Sequence, residues 1–335
     1  MSKMLQALSR PLRAALRAAK GSKLLRSLLT DLSNTAEFTN LAAHERMVAD
    51  RVRVDCYHAA LRKHVKPGDV VIDLGTGTGI LSMFAAQAGP RRIYALDHSP
   101  FIEVARRLAA HNKADCIEFV STNSRDFKPA ERADLLIHEQ LGDECFTENM
   151  VENLLDLKRR ALKPGGRILP ARFEFFVEPL QLKPGRELPP LWQQNVHGVD
   201  FSCLKDDPLA ASYKTSEYPY YFIDDATFGH WLGVPRPALY VDLDTLESPA
   251  AMPDVLELER EVTSAGVLDG FGIYFRIIFD DELSFDTSPT STPTHWRCRF
   301  LRSDRRTLDT GVRLRYRLRM PDLVNADTWQ LEVED

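Results

Sequence analysis

Apolar residues follow two different rhythms along the chain, and the change comes near Pro170. Before it, DVVIDLG, RRIYALDH, CIEFVS, ADLLIHE and GGRILP are short apolar runs with no alternation. Helical patterns stand between them: ILSMFAAQAG (ended by Gly89 and Pro90), PFIEVARRLAAHN and ENMVENLLDLKRRAL. Strands without a polar face are covered on both sides, so these repeated β-α units predict an α/β fold with a parallel, doubly wound, Rossmann-like sheet. Upstream, within residues 34–63, LAAHERMVADRVRVDCYHAAL has the spacing of one or two amphipathic helices.

After Pro170, FEFFVEPLQL, FGIYFRIIF, WRCRFL and VRLRYRLRM alternate or run as strands between proline-rich turns, which predicts an antiparallel β domain. Residues 205–237 have many Pro, Asp and aromatic residues and few strand signals, and are expected to be an insertion. The expected organisation is an extension over 1–33, an α/β domain over 34–170, and a β domain over 171–335 with an inserted arm at about 204–237.

Composition adds two points. Charged and hydrophobic fractions of 27% and 44% are those of a soluble globular protein, and no apolar run approaches the roughly 18 residues of a membrane span. The five cysteines form no CxxC pair and no metal-like spacing, so neither a metal site nor disulfides are expected, and a reducing, cytoplasmic setting is the simplest reading. Charge is distributed unevenly. Seven of the 43 basic residues and none of the 48 acidic ones lie in residues 1–30, which leaves an acidic body suited to cationic substrates. That first segment reads as a membrane-surface or partner-binding helix, a mitochondrial-type targeting peptide, or a solvated extension.

The chemistry begins at Gly75-Thr76-Gly77-Thr78-Gly79-Ile80. A dinucleotide turn needs G-x-G-x-x-G, but here the third glycine comes one position early and Ile80 occupies its slot. Asp97 ends the second strand twenty residues beyond Gly77, where a carboxylate can accept ribose hydroxyls. With Asp73, the turn and Asp97 read as an adenosine-type site; the alternative is a tight turn that holds no cofactor.

Longer motifs point to one family. VIDLGTGTGILSMFAAQAG, HERMVADRVR, HEQLGDECFTENM, LWQQNVHGVDFSCLKD and TSPTSTPTHWRCR together resemble the protein arginine N-methyltransferases over roughly residues 34–330. The resemblance implies a β-barrel-like second domain, a dimerisation arm, a head-to-tail homodimer and S-adenosyl-L-methionine as cofactor. It implies that Arg53 binds the cofactor carboxylate and Asp97 the ribose, with Asp73, Gly75, Gly77, Gly79 and Met47 around them. Ser124 stands where the family has an adenine-contacting glutamate. Glu139 and Glu148 are implied as the carboxylates that grip the substrate guanidinium, and His295 as the partner of Asp50. Met47 and Met150 match positions found in members that form asymmetric dimethylarginine.

The chain also departs from the family pattern. Gln140 replaces the tryptophan after the first glutamate, Asp143 replaces an aromatic, and Asn34 and Phe38 stand near a missing tyrosine–phenylalanine motif. These departures, with Met150 and Trp296, fall at the expected substrate pocket and affect acceptor and product more than the transfer itself.

Read without the family, two carboxylates suit this acceptor. A guanidinium titrates above about 12, so it arrives charged and poorly nucleophilic. Carboxylates on two sides can orient it and localise its positive charge on one nitrogen. The methylated product then loses a proton to a carboxylate or to the His295–Asp50 pair. The expected function is methyl transfer to a guanidino nitrogen of arginine in proteins. The alternatives are free arginine or another small guanidino compound as acceptor, or a non-catalytic scaffold. Arg313, Arg315, Arg317 and Arg319 share one strand face, read as a solvated surface and not a nucleic-acid site because no aromatic platform accompanies them.

Overall fold

The computed structural model describes residues 40–212 and 221–334. The expectations placed on the 1–33 extension, on Asn34 and Phe38, and on residues 213–220 of the arm lie outside the described residues. The chain divides into two compact units. The first runs to Gln140 and resumes over Glu148–Ala171; the second comprises Leu141–Thr147 and everything from Arg172 on.

Among its described residues, the first unit begins with helices α1 (Leu41–Ala49) and α2 (Arg51–His64). Asp50 separates them and serves both: its N–H donates to the Arg46 carbonyl, closing α1, and its Oδ1 accepts from the Arg53 N–H at 3.1 Å, capping α2. Then come β1 (Val70–Leu74), α3 (Ile80–Ala86), β2 (Arg92–Asp97), α4 (Ile102–His111), β3 (Ile117–Ser121), β4 (Ala133–His138), α5 (Met150–Ala161) and β5 (Leu162–Leu169). The five strands pair in parallel in the order β3-β2-β1-β4-β5. Every residue of β1 is buried, as its unbroken apolar run predicts for a strand covered on both faces. On one side α4 packs Ile102, Ala105 and Ala109 against Ala95 and Phe119. Because β1 lies between β2 and β4, the strand order reverses at β1/β4, and ligands of such sheets bind beyond the carboxyl ends of the strands there.

The second unit is antiparallel. Its long strand β6 (Arg172–Leu182) is followed by a small hairpin, β7 (Asn195–Val196) and β8 (Val199–Asp200), and a short helix α6 (Pro208–Ser212). The hairpin turns on His197 and Gly198, both at positive φ, as a tight two-residue connection requires. The unit continues with β9 (Tyr221–Ile223), β10 (Phe228–Trp231), β11 (Leu239–Asp242), β12 (Val255–Glu261) and β13 (Gly266–Ile278). It closes with β14 (Ser284–Asp286), β15 (Cys298–Leu308), β16 (Arg313–Arg319) and β17 (Gln330–Val333).

The barrel-like expectation is realised as two ladders. One has seven strands along β10-β6-β13-β15-β9 with β11 and β14 added at its margins, and the other is β12-β16-β17. Tyr316 joins them: its ring lies 4.6 Å from that of Phe271, and its hydroxyl donates to the Val177 carbonyl at 2.7 Å. Beside it the buried Arg260 guanidinium grips Glu178 through Nε and a terminal nitrogen.

The inserted arm is shorter than the sequence suggested. Tyr221–Ile223 and Phe228–Trp231 are strands of the large sheet, paired with β15 and β6. They are too short to show a period and are set among turn residues, which hid them. The arginine face of β16 is lined by acids: Glu259 holds Arg313 and Arg315 at 3.2 and 2.8 Å, and Glu332 holds Arg319 at 2.9 Å. These are cross-strand pairs on a solvated face.

Candidate active site

The turn after β1 is fixed before any ligand is considered. Gly75 and Thr76 both donate to the Leu96 carbonyl at 2.9 Å, which ties the turn to the end of β2. The Gly77 N–H donates to Asp97 Oδ2 at 2.9 Å, while Asp97 Oδ1 accepts from the Ser99 N–H at 2.8 Å. A carboxylate has about four acceptor positions, so Asp97 keeps capacity for hydroxyls. Gly77 and Gly79 have φ of 52° and 79°, a region L-residues avoid. A Cβ at Gly77 would stand 3.0 Å from His44, whose buried ring stacks on Phe101 with centroids 3.8 Å apart. Neither His44 nor Phe101 stood out in the sequence.

Asp73, near the end of β1, is fully buried. Its Oδ2 accepts the Thr76 and Ser82 hydroxyls, each at 2.6 Å. Burial raises its carboxyl from the ordinary 3.8 to about 6, against the pull of those two hydroxyls. Its other oxygen, Oδ1, is buried with no hydrogen-bond partner, and so is Nε of Arg53. One is an acceptor and the other a donor, and groups of this kind are costly to leave unmatched. An α-ammonium and an α-carboxylate satisfy such a pair, so these residues fit the amino-acid end of S-adenosylmethionine.

Each terminal nitrogen of Arg53 has a partner. One terminal nitrogen donates to the Met47 carbonyl at 2.8 Å, and the other lies 3.3 Å from Glu139 Oε2. Glu139 follows directly on β4, whose end is held twice. The Tyr57 hydroxyl donates to the His138 carbonyl at 3.1 Å, and His138 Nε2 donates to the Pro170 carbonyl at 2.8 Å. Burial lowers His138 to about 4, so the ring is neutral and the proton it donates sits on Nε2. Burial, and after it the charge of Glu139, pushes the Tyr57 phenol well up. Tyr57 is a further residue of this region that the sequence motifs do not mark.

Glu148 lies at the far end of the loop, just before Asn149, which enters α5 at a left-handed φ of 56°. The intervening residues belong to the second unit. There Trp296 Nε1 donates to the Leu141 carbonyl at 2.8 Å, Glu144 meets Arg299 at 2.6 Å, and Phe146 packs on Phe175. Cys145 is buried at a positive φ of 67°, strain that persists only where its surroundings enforce it. Glu144, which the sequence presents as a surface acid, is therefore a buried ion-pair member. Burial raises its carboxyl and the Arg299 charge opposes the rise.

The other expected site residues fall as follows. Met150 is fully buried at the start of α5, and Trp296 is buried between Phe275 and Phe285. Both side chains are packed among apolar neighbours, Met150 as the first residue of its helix and Trp296 two residues ahead of β15. Gln140 lies against Gly75 of the glycine turn and accepts from Asn153 Nδ2 at 3.3 Å. Ser124 offers its carbonyl to Arg160 at 3.0 Å. The His295 ring lies tilted against that of Trp296, with centroids 4.0 Å apart, in the second unit, and Asp50 caps α2 in the first.

A family model described as a methyltransferase domain matches residues 71–166. Protein arginine N-methyltransferase 6 of Danio rerio is 29% identical over 296 residues, which cover 84% of this chain and 81% of that one. A probable protein arginine N-methyltransferase 6.1 of Oryza sativa subsp. indica is 28% identical over 290 residues, covering 77% and 75%. Among solved structures, the Trypanosoma brucei PRMT1 enzyme–prozyme heterotetrameric complex with AdoHcy has a TM-score of 0.74 at 25% identity, covering 84% of this chain and 89% of that chain. Protein arginine methyltransferase 10 of Arabidopsis thaliana, in an open conformation, has a TM-score of 0.71 at 24% identity, covering 85% and 89%, and shows the shared fold. Residues 71–166 thus match a methyltransferase domain, and the chain is similar in sequence and fold to protein arginine N-methyltransferases.

Proposed function

We propose that the protein transfers the methyl group of S-adenosyl-L-methionine to a guanidino nitrogen of arginine in protein substrates. The observation that carries this reading is the placement of Arg53. Its guanidinium holds Glu139 at 3.3 Å while its buried Nε stays unmatched, and Asp73, in the strand that leads into the glycine turn, keeps a buried unmatched Oδ1. One cation thus serves both the cofactor's amino-acid end and the first substrate carboxylate. Bound there, the cofactor supplies an electrophilic methyl group.

The protein's residues do the rest. Arg53, Asp73 and Asp97 orient the donor; Glu139 and Glu148 hold the guanidinium so that one nitrogen faces the methyl. The new N–C bond replaces the S–C bond, and the proton released from the methylated nitrogen passes to a carboxylate of the pair. Positioning and fixed charge supply the acceleration. The similarity to relatives named protein arginine N-methyltransferases supports a protein acceptor.

Self-association is the second part of the proposal. Leu191, Val196, Val199 and Leu209 are exposed apolar residues in the segment around the β7–β8 hairpin and α6, an apolar surface suited to a second copy of this chain.

The test is transfer of a labelled methyl group to a Gly-Arg-rich peptide beside free arginine. Label on the peptide supports the proposal. Label on free arginine alone assigns a small guanidino acceptor, and no label on either, with the cofactor bound, assigns a scaffold.

A further inference from the structure

Gln140 follows the end of β4 by two residues, and Gly75 follows β1 directly, so the two face each other where the strand order reverses. A Cβ on Gly75 would stand 3.8 Å from Gln140 Cγ and 3.9 Å from its Nε2. The orientation of this amide is fixed from behind. Arg125 donates to Asn153 Oδ1 at 3.3 Å, and Asn153 Nδ2 donates to Gln140 Oε1 at 3.3 Å. A guanidinium can only donate, so the Asn153 oxygen must face Arg125. The Asn153 amine then faces Gln140, and Gln140 must answer with its oxygen. Its NH₂ is left on the opposite side, toward the glycine turn.

We propose that Gln140 is a cofactor-reading residue, whose NH₂ donates to a hydrogen-bond acceptor of the bound S-adenosyl cofactor, with Arg125 and Asn153 as the positioning residues that set its polarity. This rests on the cofactor proposed above and extends it. It moves Gln140 from the acceptor pocket to the donor side of the reaction. An aromatic at this position, the family's usual residue, can pack against the turn but offers no such paired relay, so the polar chain is a feature of this protein.

Three variants separate the polarity argument from packing. Gln140→Met removes the amide while keeping its length. Gln140→Glu keeps the acceptor that meets Asn153 but loses the donors. Asn153→Asp leaves Gln140 in place but reverses the relay: the new carboxylate pairs with Arg125 and cannot donate, so Gln140 turns its NH₂ back toward that carboxylate and its oxygen toward the turn. Binding of S-adenosylhomocysteine is measured by titration calorimetry, with the melting temperature of each unliganded variant as the folding control.

The expected result is measurable binding to the unchanged protein and a loss of about three- to tenfold in all three variants, the range for one hydrogen bond. Asn153→Asp is the most telling, because the residue touching the cofactor is unaltered. If the unchanged protein does not bind S-adenosylhomocysteine, the cofactor assignment itself fails. If it binds and Asn153→Asp and Gln140→Glu bind equally well, Gln140 does not read the cofactor and the inference is overturned. Should Gln140→Met lower the melting temperature without weakening binding, Gln140 serves packing alone, which also overturns it.

Discussion

Replacing Asp73 with Asn is expected to stabilise the unliganded protein while removing its cofactor. The carboxyl is fully buried, and burial carries it from 3.8 to about 6. Holding it ionised in the fold therefore costs about 3 kcal/mol, at about 1.4 kcal/mol per pH unit. The sign follows from a folded value raised above the unfolded one. The favourable contribution of the protonated acid is complete below about 3.8 and is lost as pH rises through about 6, so the unchanged protein loses stability over that window.

Asparagine carries no charge at any pH. Its oxygen can take the place of Oδ2 and accept both the Thr76 and the Ser82 hydroxyls, but its amine then replaces the unmatched Oδ1 and is itself unmatched. Allowing for that, Asp73→Asn should gain about 1–3 kcal/mol at pH 8 and nothing at pH 3.5. Other titrating groups are common to both proteins and cancel in the difference.

All four tryptophans lie in the second unit, so their fluorescence does not report on this site. Amide hydrogen exchange of β1 and β4, across the pH range and in graded denaturant, does. Cofactor binding should fall at least tenfold, because an amine cannot receive the ligand's ammonium. An Asp73→Asn protein no more stable than the unchanged one at pH 8, or with the same pH dependence between 4 and 7, would refute the reasoning.

Two further outcomes follow from the second unit. Arg260→Met leaves Glu178 buried without its guanidinium and should cost about 3–5 kcal/mol in denaturant unfolding, whereas Glu178→Leu combined with Arg260→Met should cost much less. A double variant as unstable as the single one would contradict that account of the pair. Val199→Asp with Leu209→Asp should convert a dimer to a monomer in light scattering with the first unit's cofactor affinity unchanged; an unaltered mass would show that the surface around the β7–β8 hairpin and α6 is not the interface.

The first unit was legible because its central strands β1, β2 and β4 are buried on both faces, leaving unbroken apolar runs such as Val70–Leu74 that local sequence exposes directly. Its glycine turn was legible for a related reason, since positive φ at three closely spaced positions demands glycine there. What escaped depends on partners distant in sequence. Glu144 reads as a surface acid until Arg299 arrives from β15, and Tyr57 reads as core until its hydroxyl meets the end of β4. Strands β9 and β10 are three and four residues long, too short for a period, and owe their form to the edges of β15 and β6.

The central claim is that the carboxylates after β4 act on the acceptor and not on the cofactor. Glu148→Gln tests it most directly, with methylation of an arginine-containing peptide followed by mass spectrometry and S-adenosylhomocysteine affinity measured on the same sample. The account predicts that peptide methylation falls by roughly a hundredfold or more, the range for removing one fixed charge from a transition state, while affinity stays within about twofold. Methylation at the unchanged rate would contradict it, and so would a loss of cofactor affinity that matches the loss of turnover.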